Sequence, residues 1–144
     1  MRMAMAAMLL LSCAEAVAGN EVFVVSRAFF DAIRFVESTD GRYYGDQDSG
    51  TVHGPYQISL AYLKDANGYL GKEYTLKDVI DSDDIAVEVM CAYWNRYLPQ
   101  DREVTYELLA RIHNGGPRGY EKESTVEYWH KVKAKMEEIE NGKG

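Results

Sequence analysis

Cysteine is nearly missing from this 144-residue chain, which has only Cys13 and Cys91. No disulfide framework can be built from so few thiols, and the fold has to be held by packing. Basic charge is also short. Sixteen Lys and Arg stand against twenty-three Asp and Glu, a net charge of −7. Polyanion binding needs a clustered excess of Lys and Arg, so nucleic acid is excluded as a partner. The three histidines, His53, His113 and His130, form no ligand pair at helical spacing, and Cys91 stands alone in a helical pattern, so no metal site is expected. There is no Gly-x-Ser-x-Gly elbow and no Gly-rich phosphate loop. No cofactor is called for. Internal repeats, low-complexity segments and linkers are absent as well.

The N-terminus carries the only extended apolar run. In "MRMAMAAMLLLSCAEAVAG", Arg2 precedes an apolar stretch from Met3 to Leu11, and Ala16-Val17-Ala18 offers a small-residue cleavage site. Residues 1–18 therefore read as a secretory signal, too short to span a membrane. A second reading takes Leu10-Leu11-Ser12-Cys13 as a lipoprotein signal that lipidates Cys13, the one membrane link in prospect. Either way the product is secreted or periplasmic. Removing eighteen of the 144 residues leaves 126. That length, 19–144, suits a single domain burying roughly two-thirds of its unfolded surface.

Helical periodicity dominates this domain. "SRAFFDAIRFVES" has Ser26 as cap and Phe29, Phe30, Ile33 and Val36 on one face, and should end near Thr39. From Arg42 to Ile58 glycines recur and the helical period vanishes, which predicts a small hairpin or irregular β element. "ISLAYLKDANGYL" resumes as a short helix ended by Gly68 or Gly71. Ser82, Asp83 and Asp84 open the next helix and Pro99 closes it. Thr105 caps a helix stopped by Gly115-Gly116-Pro117. The last helix begins with Ser124 and Glu127 in capping-box spacing. The fold class is α+β, mainly helical with one small β excursion.

Three carboxylates lie at or within that excursion. Glu37 follows Phe35 and Val36 at the end of an apolar helix, where partial burial would raise its pKa toward that of a general acid. Asp46 and Asp48 fall in a polar, glycine-containing turn, where a carboxylate stays ionised. Glycoside hydrolysis needs such a pair, and a separation of about 5 Å would give retention through a covalent intermediate. Spacing alone favours a solvated acidic turn, the commoner arrangement in a chain with twenty-three acidic residues. Asp46-Gln47-Asp48-Ser49-Gly50 also imitates the start of a calcium loop, but Thr51 and Gln57 stand where glycine and glutamate are required.

Longer motifs decide between these readings. "VES" at residues 36–38, "GPYQISLAYLKDA" at 54–66, "AYWNRY" at 92–97, "ARIHNGGPRG" at 110–119 and "TVEYWHKV" at 125–132 occur in that order. Together they resemble the invertebrate-type (i-type) lysozymes, including the destabilase branch, from about Phe29 to Val132. The resemblance implies a lysozyme-like fold whose hairpin lies beside the active-site cleft, and cleavage of β-1,4 bonds in peptidoglycan or a chitin-like glycan. It implies Glu37 as catalytic acid and base and Asp48 as nucleophile or stabiliser, with Asp46 as rival for the second carboxylate. It further implies Tyr56, Gln57, His113 and Asn114 as substrate-binding residues, Tyr128 and Trp129 as packing, and a proteinaceous lysozyme inhibitor as a partner.

The chain departs from the family in lacking disulfides, with His53 where a cysteine is common, and in carrying Thr51 where the isopeptidase activity of the destabilase branch is linked to serine. Two rivals stand beside the muramidase reading. One is a lytic transglycosylase, which works with a single glutamate. The other is a non-catalytic wall- or chitin-binding module on a decayed lysozyme fold.

Overall fold

A computed structural model describes residues 15–18, 21–39 and 52–142. Asp46 and Asp48 lie outside the described residues. The chain runs as strands β1 (Glu15–Ala18) and β2 (Glu21–Val24), helix α1 (Arg27–Ser38), strands β3 (Val52–His53) and β4 (Ile58–Ser59), then helices α2 (Leu60–Leu70), α3 (Leu76–Asp81), α4 (Asp83–Tyr97) and α5 (Tyr106–Gly115). Two short 3-10 turns, Gly119–Glu121 and Glu123–Thr125, lead into α6 (Val126–Glu140). This is the expected α+β class, mainly helical with a small hairpin. β1 and β2 pair antiparallel, Ala18 opposite Glu21, so the described chain includes four residues of the expected leader.

The helix ends follow from local chemistry. Ser26 adopts extended backbone and its hydroxyl accepts from the Phe29 N–H, one of the donors a helix start leaves unmet. At the other end Thr39 is left-handed, with φ 51°, and its N–H donates to Phe35 O at 2.6 Å. That sharp stop leaves Glu37 in the last turn of α1. Gly71 ends α2 in the same left-handed way, whereas Gly68 sits inside the helix. Ser82 closes α3 and caps α4, accepting from Ile85 N–H.

Besides the β1–β2 pair, which was not expected, two features differ from the sequence reading. The six-residue α3 was not expected, although Thr75 and Asp78 form a reciprocal capping box there. The capping box expected at Ser124 and Glu127 does not form. The 3-10 turn runs straight into α6, putting Thr125 in helical backbone at its start with no side-chain cap. The Thr125 hydroxyl is instead spent inward, donating to Gly119 O at 2.7 Å and accepting from Arg111 Nε at 2.9 Å.

The core is helical. α1 packs against α6 and α2 against α4, around a fully buried Trp94. The Phe29 and Phe30 rings lie 5.9 and 5.8 Å from the Trp94 ring, and the indole N–H donates to Leu109 O at 2.9 Å. Truncating a side chain this large and this enclosed costs about 3–5 kcal/mol. Cys91 is buried in the same core.

The hairpin leans on this helical body. β3 and β4 pair antiparallel through Val52 with Ser59 and His53 with Ile58, and a tight turn links them. Gly54 takes φ +74° there, and a Cβ would stand 3.0 Å from Ile80 Cγ1, so the position asks for glycine on both counts. Ile58 is fully buried, fixing the hairpin's register on the core.

Candidate active site

Four elements converge on Glu37. The side chain leaves the last turn of α1 with 17% of its surface exposed. His113 enters from the last turn of α5, Tyr62 from the first turn of α2 and Tyr128 from the first turn of α6. Each of these three carries a polar atom on an otherwise apolar helical face.

The His113 ring is fixed at both nitrogens. Nε2 lies 3.1 Å from the Tyr56 carbonyl oxygen and Nδ1 lies 3.0 Å from the Tyr62 hydroxyl. A carbonyl only accepts, which puts the proton on Nε2 and makes Nδ1 the acceptor of the Tyr62 O–H. Burial lowers the His113 pKa to about 4, opposed by the hydrogen bond to Tyr56. The imidazole is therefore neutral at pH 7. Its Nε2 also stands 3.6 Å from Glu37 Oε1. That approach is the contact of an N–H dipole with a carboxyl, not an ion pair.

The two phenols are held in their protonated state. Burial first, then the charges of Tyr93, Cys91 and Glu37, raise Tyr62 well above the ordinary tyrosine value. Its ring stacks on Tyr93 at 3.6 Å between centroids, nearly parallel at 9°, and Tyr93 itself is pushed up to about 12 by burial. Tyr128 is raised well above its ordinary value too, by burial, by the Glu37 charge and by a polar contact with Glu37. Its hydroxyl oxygen is buried and makes no hydrogen bond of normal length.

Glu37 opens onto a cleft of about 390 Å³ that is also lined by Gln57, His113 and Asn114. Three residues expected to bind substrate thus share one cavity with the expected acid. The Gln57 backbone takes φ 51°, and its side-chain amide donates to Gly54 O at 2.6 Å. Gly116 and Pro117 also line the cleft.

Tyr56 corrects the sequence reading. Its ring is 2% exposed and is not part of the cleft lining. The hydroxyl points away, donating to Asp83 Oδ1 at 2.5 Å beside Arg27, whose Nη1 lies 2.6 Å from Asp83 Oδ2. Burial would raise the Asp83 carboxyl, but the hydrogen bonds from Arg27 and Tyr56 and the Arg27 charge hold it below its usual range. The Tyr56 side chain is core, and the residue meets the site only through its carbonyl.

Sequence reasoning missed Ser59, Tyr62, Asp65 and Tyr93, all of which line the cleft. Asp65 accepts from the Tyr97 hydroxyl at 2.8 Å. Helical spacing held a partial signal, because Tyr62, Asp65 and Ala66 recur along one side of α2. Among the described residues no group of three metal-ligating side chains occurs.

No family model matches the chain. Among curated proteins it is 39% identical over 98 residues to "Invertebrate-type lysozyme 6" of Caenorhabditis elegans, covering 61% of this chain and 70% of that protein. It is 38% identical over 93 residues to a lysozyme of Magallana gigas, covering 61% and 68%. Among solved structures it superposes on Meretrix lusoria lysozyme in complex with Aeromonas hydrophila PliI with a TM-score of 0.62 and 31% identity, over 75% of this chain and 88% of that one. Tapes japonica lysozyme matches with a TM-score of 0.57 and 25% identity, over 74% and 87%.

Proposed function

The chain belongs to the invertebrate-type lysozymes, and on that premise we propose that it is a retaining muramidase with Glu37 as its acid and base. The observation that carries the proposal is the place of Glu37. It sits at the end of a buried helix, open to the cleft, against an uncharged His113 and two phenols that keep their protons. Neutral hydrogen-bonding groups around a partly buried carboxyl suit a group that must give up a proton and take it back.

In the proposed sequence Glu37 protonates the glycosidic oxygen as the bond to the anomeric carbon breaks. A second carboxylate attacks that carbon, and Glu37 then takes a proton from the water that releases the sugar. Asp48 is our choice for the second carboxylate and Asp46 its rival, both from the resemblance. Gln57 and Asn114, with amides at the cleft, would bind sugar hydroxyl or N-acetyl groups. The substrate is peptidoglycan or a chitin-like glycan. A proteinaceous inhibitor is a reasonable partner, since a relative has been solved bound to one. Export through the leader at residues 1–18 is proposed on its sequence alone.

Mass spectrometry of digested peptidoglycan tests the activity. New reducing muramic acid ends are expected. Anhydro-muramyl ends would make the protein a lytic transglycosylase instead, and binding without release of soluble sugar would make it a non-catalytic module.

A further inference from the structure

Tyr128 has a polar atom that the packing does not account for. Its ring packs against the core from the first turn of α6, yet the hydroxyl oxygen is buried without a hydrogen bond of normal length. Buried hydroxyls in native folds nearly always find a partner, so one without is a cost the fold carries for some return. The group it faces is Glu37, whose carboxylate raises the Tyr128 phenol through both charge and polar contact.

We propose that Tyr128 is a positioning residue for the acid and base steps: its O–H closes onto the Glu37 carboxylate once that group has given its proton to the leaving sugar. The inference rests on Glu37 being the acid and base of the muramidase reaction. Tyr128 keeps its own proton throughout, and the proton that reaches the glycosidic oxygen comes from Glu37. Before transfer Glu37 is neutral and the phenol gains little by approaching. After transfer the carboxylate is charged, and the polar contact tightens into a charge-assisted hydrogen bond. An interaction that strengthens as charge develops accelerates the step, whereas one of equal strength throughout would not.

The other titratable groups facing Glu37 among the described residues do not duplicate this role. His113, from α5, keeps its Nε2–H on the Tyr56 carbonyl, and Tyr62, from α2, donates to His113 Nδ1. Tyr128 is the neutral donor of this group with no other recipient.

The test uses Tyr128→Phe, which keeps the ring and removes the hydroxyl. Two readouts are taken: the carboxyl titration of Glu37 by ¹³C NMR in the resting protein, and kcat and KM on peptidoglycan across pH. Losing a hydrogen bond to the ionised form should move the Glu37 titration and the alkaline limb of kcat up by about one pH unit. It should lower kcat about tenfold with KM unchanged. The melting temperature should hold or rise, because an unmet buried donor has gone.

An unchanged titration and an unchanged kcat profile would overturn the proposal and leave Tyr128 as packing. If Tyr128→Phe fails to fold, 3-fluorotyrosine at position 128 decides the matter. Its more acidic phenol should shift the Glu37 titration down, and no shift would overturn the inference. A wild-type protein without glycosidase activity would remove the muramidase reading, while the titration, which needs no substrate, would still decide whether Tyr128 bonds the ionised carboxylate.

Discussion

The His113 imidazole stands 3.6 Å from the Glu37 carboxyl and is uncharged at neutral pH, because burial brings its pKa down to about 4. A cation at that distance would lock Glu37 in its ionised form. A neutral N–H leaves the carboxyl able to carry a proton.

This neutrality has a consequence for stability. The unfolded chain titrates His113 near 6.5 and the folded chain near 4. Between those values the unfolded state binds more protons, so folding weakens as pH falls. Over the full window the loss is about 3 kcal/mol. His113→Gln lacks this dependence, and chemical unfolding of the two proteins should show the stability advantage of the wild type shrinking by about that amount between pH 7 and pH 4. A constant difference would mean that the fold does not lower the His113 pKa.

Tyr56→Phe separates a core role from a sugar-binding one. The lost hydroxyl donates to Asp83, a carboxylate that is only partly buried, so the expected cost is about 1–2 kcal/mol of stability. The carbonyl that holds His113 is main chain and survives the substitution. Turnover and KM should stay within about twofold of wild type at a temperature where both proteins are folded. A large rise in KM would return Tyr56 to the substrate.

Most element boundaries were legible because they rest on one residue meeting one neighbouring N–H. Ser26, Ser82 and Thr105 could be read as caps for that reason. The Ser124 box failed because Thr125 has stronger partners inward, Gly119 and Arg111, which local spacing does not reveal. The short α3 was passed over because six residues barely display a period. Helix-end position and motif pointed to Glu37 and His113, and the structure places both on one cleft. Tyr62 and Tyr128 were not legible in this way, since their partners lie 51 and 91 positions away and only the packing of α1, α2, α5 and α6 brings them together. Tyr56 was misread because an aromatic beside a cleft motif looks the same in sequence whether its ring faces the sugar or the core.

Gly119 marks where the turn after α5 packs tightest against that helix. A Cβ there would fall 1.9 Å from the carbonyl oxygen of Arg111 on α5, a backbone atom that cannot rotate aside. Gly119→Ala should therefore cost about 3 kcal/mol or more, read as a lower urea midpoint. Because the displaced turn follows the helix end that bears His113 and Asn114, lytic activity should fall with it. A stability within about 0.5 kcal/mol of wild type would show that the two segments can separate freely.

The central claim is that Glu37 moves the proton in glycoside cleavage, and the most direct measurement of it is the turnover of Glu37→Gln on peptidoglycan beside its melting curve. The amide fills the same space but has no proton to give and none to take back. Turnover should fall by about 10²–10⁴-fold while the protein melts cooperatively near the wild-type temperature. A folded Glu37→Gln that lyses cell walls within a few-fold of the wild-type rate would contradict the account.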